Sequence, residues 1–212
     1  AKGNISREEL IITSKVSKFN LAYNDVIKKK KKSLERLETD YLDLYLVHHP
    51  NPEIPISETM KAMDELVDKG LVRSIGVSNF NVEQLKQAKE AASHPLDINQ
   101  VEYNLQTRNA GKFNVDMEKS IIPYCRENEI QVMAWRPLAK GQLDGENSVI
   151  KYLMEKYDKT VEQIAINWLV HKKGLATVVK ATSRHHIADN YRAVDFQMEE
   201  KDYLVLDMLN NG

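Results

Sequence analysis

Two apolar runs near the start of the chain end in residues that can handle charge. The segment EELIITSKV carries Lys15 just past its apolar stretch, and YLDLYLVHHP ends on His48, His49 and Pro50. Parallel α/β enzymes place their chemistry at the C-terminal ends of strands. A lysine and a histidine one strand–helix unit apart at that end suggest a catalytic mouth. The plain alternative for Lys15 is a solvated lysine at a strand end.

Other reactive side chains read as structural. His48 and His49 are neighbours, and successive strand residues point to opposite faces, so the pair chelates one ion poorly. His185 and His186 share that weakness, and no metal is expected. Cys125 and Trp168 fall among apolar residues at helical spacing and read as core. The sequence contains no G-x-S-x-G elbow, P-loop or G-x-G-x-x-G, so serine hydrolase, NTPase and Rossmann readings lack their signatures.

The elements that must hold Lys15 and His48 alternate along the whole chain. Short runs rich in Val, Ile, Leu or Tyr predict strands over residues 10–14, 42–48, 74–78, 98–103, 131–136 and 177–180. Several lack polar alternation, as expected of a parallel sheet covered on both faces. Between them lie amphipathic helices. Ile56, Met60, Met63, Leu66 and Val67 form one stripe closed by Lys69 and Gly70. Asn81 and Gln84 form a capping box ahead of Val82, Leu85 and Ala88. Met117, Ile121 and Cys125 make a further face, as do Val161, Ile164, Ala165 and Trp168. The five lysines of residues 28–32 read as a solvated helix face. Lys30 is the exception, because it falls on the stripe of Ile27, Leu34 and Leu37, so its stem must snorkel or the helix loosens.

Composition sets limits on function. The 212 residues, 42% hydrophobic, form most simply one domain over 1–212. A net charge of −1 with both signs interspersed gives no field favouring nucleic acid or an anionic membrane. No apolar run approaches the roughly 20 residues of a membrane span. The single cysteine excludes an internal disulfide framework and fits a reducing cytoplasm.

The ordered set SREELIITSK, LERLETDYLDLYLVHHP, VRSIGVSNF, INQVEYN and AWRPLAKG resembles the aldo-keto reductases along essentially the whole chain. The resemblance implies an α/β fold of the (β/α)8 TIM-barrel family. It implies reduction of an aldehyde or ketone with a nicotinamide cofactor, and assigns Lys15 and His48 as the catalytic lysine and histidine. In that family a tyrosine is general acid, the lysine lowers its pKa and pairs with an aspartate, and the histidine orients the carbonyl. Hydride addition builds an alkoxide, which a nearby cation and a hydrogen-bond donor stabilise. The family's Asp and Tyr precede the lysine strand and have no counterpart in this sequence, and Tyr23 follows that strand. An eight-stranded barrel needs about 250 residues. The chain is therefore expected to cover about six βα units, with the first two missing and Ala1–Gly3 reading as the tail of a helix.

The resemblance also implies the cofactor residues. Ser78, Asn79 and Gln100 match the residues that hold the nicotinamide carboxamide, and Trp135 the aromatic that stacks on its face. Arg136, in place of a small Ser, is placed to reach the pyrophosphate or intrude on it, and Pro137 and Leu138 continue that loop. Lys180, Ala181, Thr182, His186, Asp189 and Asn190 match the loop and helix that hold the adenosine end. His186 stands where arginine is usual and is a weaker, titratable phosphate partner. NADP is the expected cofactor, with NAD the alternative.

The resulting expectation is a cytoplasmic NAD(P)H-dependent carbonyl reductase, weak or inactive as this chain, acting on a small aldehyde or ketone. The rival reading is a non-catalytic nucleotide-binding or self-associating barrel fragment, forming a homo-oligomer through unpaired strand edges.

Overall fold

The computed structural model describes residues 5–108 and 117–209. The helix-tail expectation for Ala1–Gly3 lies outside those residues, as do Asn211 and Gly212. Packing divides the chain into two compact units, Ala1–Asn99 and Gln100–Gly212. Among the described residues no helix is long and apolar enough to cross a membrane.

The first unit carries β1 (Thr13–Val16), α1 (Tyr23–Leu37), β2 (Leu42–Val47), α2 (Ile56–Asp68), β3 (Val72–Ser78) and α3 (Val82–Ala91). It also holds the start of β4 (Leu96–Glu102). β1 and β3 both pair with β2 in parallel. Every residue of β2 is buried, which explains its unbroken apolar run. The helices pack where the sequence places their stripes: Met60, Met63 and Leu66 are fully covered. Asn81 and Gln84 cap α3 reciprocally, and Gly70 closes α2 at φ 65°.

Two expectations in this unit need correction. β1 begins three residues later than the apolar run suggests, because Leu10 and Ile11 are exposed, Ile11 at 83%. The chain there is held by polar contacts instead: Ile12 N donates to Asp43 Oδ2 at 2.9 Å, and Arg7 pairs with the same carboxylate at 2.8 Å. In α1 the inward face is Val26, Lys30 and Ser33, and Leu37 is exposed. Lys30 is indeed buried, at 4% exposure. Its burial, and then the charge of Lys69, lower its pKa below the ordinary lysine value.

The second unit holds the end of β4, a π-turn (Met117–Ile121), α4 (Ile122–Glu127), β5 (Gln131–Trp135) and a 3-10 turn (Ala139–Gly141). It continues with α5 (Ser148–Tyr157), α6 (Val161–His171), β6 (Leu175–Thr177), α7 (Arg184–Arg192) and α8 (Glu200–Met208). β5 and β6 pair in parallel, Val132 opposite Leu175 and Ala134 opposite Thr177. Met117, Ile121, Cys125, Ile164, Ala165 and Trp168 are buried, as their helical spacing requires. β6 is earlier and shorter than expected, ending at Thr177, so Lys180 lies in the loop beyond it.

Candidate active site

In the first unit the parallel register levels the strand ends. Val16 lies opposite Val47, and Val47 opposite Val77. Lys15 stands one residue before that line, and His48 and Ser78 one residue after it. Register and alternation put Lys15, Leu46, Gly76 and Ser78 on one face, and His48 follows directly on the end of β2. The ladder continues past β2, with His48 N donating to Val16 O at 2.9 Å. That face is closely packed: a Cβ on Gly76 would lie 2.6 Å from Ile98 O and 2.7 Å from Leu46 Cδ2. Only glycine fits there.

Asn79 ties the strand tips together. It takes the left-handed conformation at φ 64°, which asparagine tolerates better than most residues. Its buried amide Nδ2 donates to His48 O at 3.1 Å and lies 3.0 Å from both His49 Nδ1 and Ser78 Oγ. An amide nitrogen is a donor, so His49 Nδ1 accepts and the neutral ring keeps its proton on Nε2. The expectation that His48 and His49 point opposite ways fails. Their rings stack with centroids 4.7 Å apart and planes 21° from parallel. β2 has ended at Val47, so strand alternation no longer governs the pair. Among the described residues no group of three or more His, Cys, Asp or Glu could hold a metal ion.

The electrostatics favour weakly held protons. Burial lowers the Lys15 pKa from the ordinary lysine value. Burial and then the Lys15 charge lower that of His48. Burial followed by His48, Lys18 and Lys15 lowers that of His49. Both imidazoles are therefore neutral at pH 7 and can donate or accept a hydrogen bond. Among the described residues no carboxylate is paired with Lys15.

The second unit contains two adjoining cavities. One, of about 570 Å³, is lined by Trp135, Arg136, Pro137, Leu138, Lys140 and Lys180 among others. The other, of about 390 Å³, is lined by Lys180, His185, His186, Asp189, Asn190 and Glu162 among others. They share Leu138, Gly141 and Lys180. A smaller hollow of about 190 Å³ at the N-terminal ends of β5 and β6 contains none of the candidate residues.

The wall between the cavities is a strained loop. Arg136, Ala139, Lys140 and Gly141 all have positive φ, from 46° to 79°, and three of them are not glycine, a conformation that persists only when its surroundings enforce it. The tail of β4 does so through every second residue. Glu102 pairs with Arg136 at 3.0 Å, Asn104 Nδ2 donates to Arg136 O at 3.0 Å, and Gln106 Nε2 donates to Gln142 O at 2.6 Å. At the second cavity Ser183 caps α7, its Oγ accepting from His186 N at 3.1 Å, which sets His186 on the first turn.

The sequence pattern of the aldo/keto reductase family matches residues 1–211. The chain belongs to the aldo/keto reductase family. It is 37% identical over 211 residues to the glyoxal reductase of Bacillus subtilis, covering 99% of this chain and 71% of that protein. Among solved structures it is similar to a thermostable aldo-keto reductase in complex with the inhibitor epalrestat. That likeness has a TM-score of 0.91 and 34% identity, over 98% of this chain and 74% of the other. It is also similar to an aldo/keto reductase from Klebsiella pneumoniae in complex with NADP and acetate. There the TM-score is 0.87 and the identity 32%, over 97% and 71% of the two chains. The six strands and intervening helices are thus a (β/α)8-barrel type of fold.

Within this aldo/keto reductase chain the expected site residues divide between the units. Lys15, His48, Ser78 and Asn79 share the strand edge of the first. Trp135, Arg136, Pro137, Leu138, Lys180, His186, Asp189 and Asn190 line the cavities of the second. Three expected residues are placed otherwise. Ala181 and Thr182 line neither cavity, and the buried Gln100 turns its Nε2 to Met133 Sδ at 2.9 Å. Sequence reasoning missed Lys140, His185 and Glu162 as cavity residues, and Glu102, Asn104 and Gln106 as the grip on the loop. The alternation of polar residues at 102, 104 and 106 was the available signal.

Proposed function

We propose that the protein is an NADP(H)-dependent reductase of small aldehydes and ketones, with dicarbonyls of the glyoxal type as the first substrates to test. The observation that carries this reading is the convergence of Trp135 to Leu138, Lys180, His186, Asp189 and Asn190 on two adjoining cavities. A flat aromatic, cations and short polar groups lining connected space suit a dinucleotide bearing phosphates. The NADP of the Klebsiella relative and the glyoxal activity in the name of the Bacillus relative support cofactor and substrate class. Cys125, buried and the single cysteine of the sequence, suits the reducing cytoplasm in which such an enzyme would work.

When bound, the dinucleotide supplies a hydride to the carbonyl carbon. Neutral His48 donates a hydrogen bond to the carbonyl oxygen and orients it. Lys15 presents a cation to the charge that develops there, and its lowered pKa makes it readier than an ordinary lysine to release a proton. Asn79 keeps the tips of β2 and β3 in place beneath these groups. Ser78 and Asn79 serve the carboxamide, and Lys180 and His186 the phosphate of the adenosine.

Turnover of the 212-residue chain by itself is expected to be slow. Among the described residues neither a tyrosine hydroxyl nor a carboxylate contacts Lys15 or His48. A missing proton-transfer group costs about 10²- to 10⁴-fold, which takes a typical turnover of roughly 10 per second to about 10⁻¹–10⁻³ per second. The test is NADPH oxidation with methylglyoxal, comparing the chain with Lys15→Met. Slow turnover that Lys15→Met abolishes, with NADPH affinity unchanged, is the expected result. Turnover indifferent to Lys15 contradicts the assignment.

A further inference from the structure

We infer that the hollow at the N-terminal ends of β5 and β6 is a second binding site of the molecule, one that takes a small monocarboxylate with an apolar tail. It includes Gln131 and Val132 at the start of β5, whereas Trp135 ends that strand about 13 Å away. It shares no lining residue with the two cavities at the far end. The inference therefore stands apart from the cofactor reading.

Two turns form the hollow. One joins α4 to β5 and reverses at Glu129, φ 58°, and the other joins α6 to β6 and reverses at Gly174, φ 76°. Main-chain bonds fix both. Ile130 N donates to Cys125 O at 2.8 Å and Leu175 N to Lys172 O at 3.1 Å. Val132 N donates to Gly174 O at 3.0 Å and ties one turn to the other. The space of about 190 Å³ is thus framed by hydrogen-bonded backbone. Ile122, Ile130, Val132 and Leu175 line it, and Ile130 and Val132 are almost wholly buried. An aliphatic chain of a few carbons is the matching occupant, and each methylene it covers strengthens binding by up to about fourfold.

The charged residues set the head group. Arg126, Lys172 and Lys173 also line the hollow, against a single carboxylate, Glu129. Lys172 is committed, since it pairs with Asp207 at 2.5 Å and lies 4.6 Å from the centroid of the Trp168 ring. Arg126 and Lys173 are exposed and make no ion pair among the described residues. Together they outnumber Glu129 by one positive charge, which matches a monoanion, while Glu129 disfavours a dianion. A guanidinium takes a carboxylate through two parallel N–H···O bonds. Ile122, Arg126, Lys172 and Lys173 also border a second space of about 460 Å³, lined further by the ion pair of Arg108 and Glu118. The apolar hollow thus adjoins polar space at its cations, where a head group stays hydrated while its tail is covered. The two spaces together fall within the range of ordinary small-ligand sites, about 300–1,000 Å³.

The experiment is a calorimetric titration of the intact chain with hexanoate at pH 7.5, repeated with acetate and with hexan-1-ol. Hexanoate should bind one to one with a dissociation constant below about 1 mM. Acetate, which lacks four methylenes, and hexanol, which lacks the charge, should each bind at least about 10-fold more weakly. Arg126→Gln should weaken hexanoate about 10-fold with the melting temperature unchanged, and Arg126→Lys should restore part of the loss. Ile122→Trp, which fills the hollow from α4, should abolish binding; should that variant unfold, Arg126→Gln decides alone. An absence of saturable heat up to about 10 mM hexanoate overturns the inference. So does acetate or hexanol binding as tightly as hexanoate, and so does a hexanoate affinity that survives Arg126→Gln.

Discussion

The guanidinium of Arg136 lies 4.5 Å from the centroid of the Trp135 ring, while Glu102 holds it from the side at 3.0 Å. The cation expected to meet a pyrophosphate is thus folded onto the indole and paired with a carboxylate. A ligand that uses this indole face must share it with Arg136 or displace the guanidinium.

Replacing Glu102 by Gln should release the guanidinium and uncover Trp135. Acrylamide quenching of tryptophan emission should increase, since the other tryptophan, Trp168, is buried. Stability should change by less than about 1 kcal/mol, because the pair is partly exposed. Unchanged quenching would show that cation–π contact alone holds Arg136 over the ring.

Gly76 tests the packing under the strand edge. Alanine there needs a Cβ 2.6 Å from a backbone oxygen, and backbone cannot yield as a flexible side chain can. Gly76→Ala should cost about 1–3 kcal/mol in urea unfolding. A neutral result would mean that β3 and the start of β4 stand further apart than described.

Acid should loosen the His48–His49 stack. Both pKa values are lowered by burial and by neighbouring cations, so below about pH 6.5 the unfolded chain binds more protons than the folded one. Stability then rises with pH up to that value and falls on acidification beneath it. His49→Phe keeps a stacking ring and removes one of the two titrations. Its melting temperature should fall less than that of the wild type between pH 7.5 and 5.5, by roughly 1–3 °C. Equal losses would place the acid sensitivity elsewhere.

Lys15 and His48 were legible because a parallel strand delivers its last residues to one edge, and apolar runs mark the strands. The start of β1 was not legible, because Leu10 and Ile11 are apolar yet exposed, and the ion pair of Arg7 with Asp43 shapes that backbone. The facing of His48 and His49 was misread because strand alternation was carried one residue too far, past Val47. The Arg136–Glu102 pair joins residues 34 apart in sequence, and no local periodicity announces such a contact.

The most direct test of the account is a titration of the chain with NADPH at pH 7, followed by tryptophan fluorescence and repeated with Trp135→Phe. Saturable binding, with quenching that is largely lost in Trp135→Phe, is the predicted result. An absence of saturable binding at up to about 1 mM NADPH, the weak end of ordinary cofactor and substrate affinities, would contradict it and would remove the cavities of the second unit from any role in the chemistry.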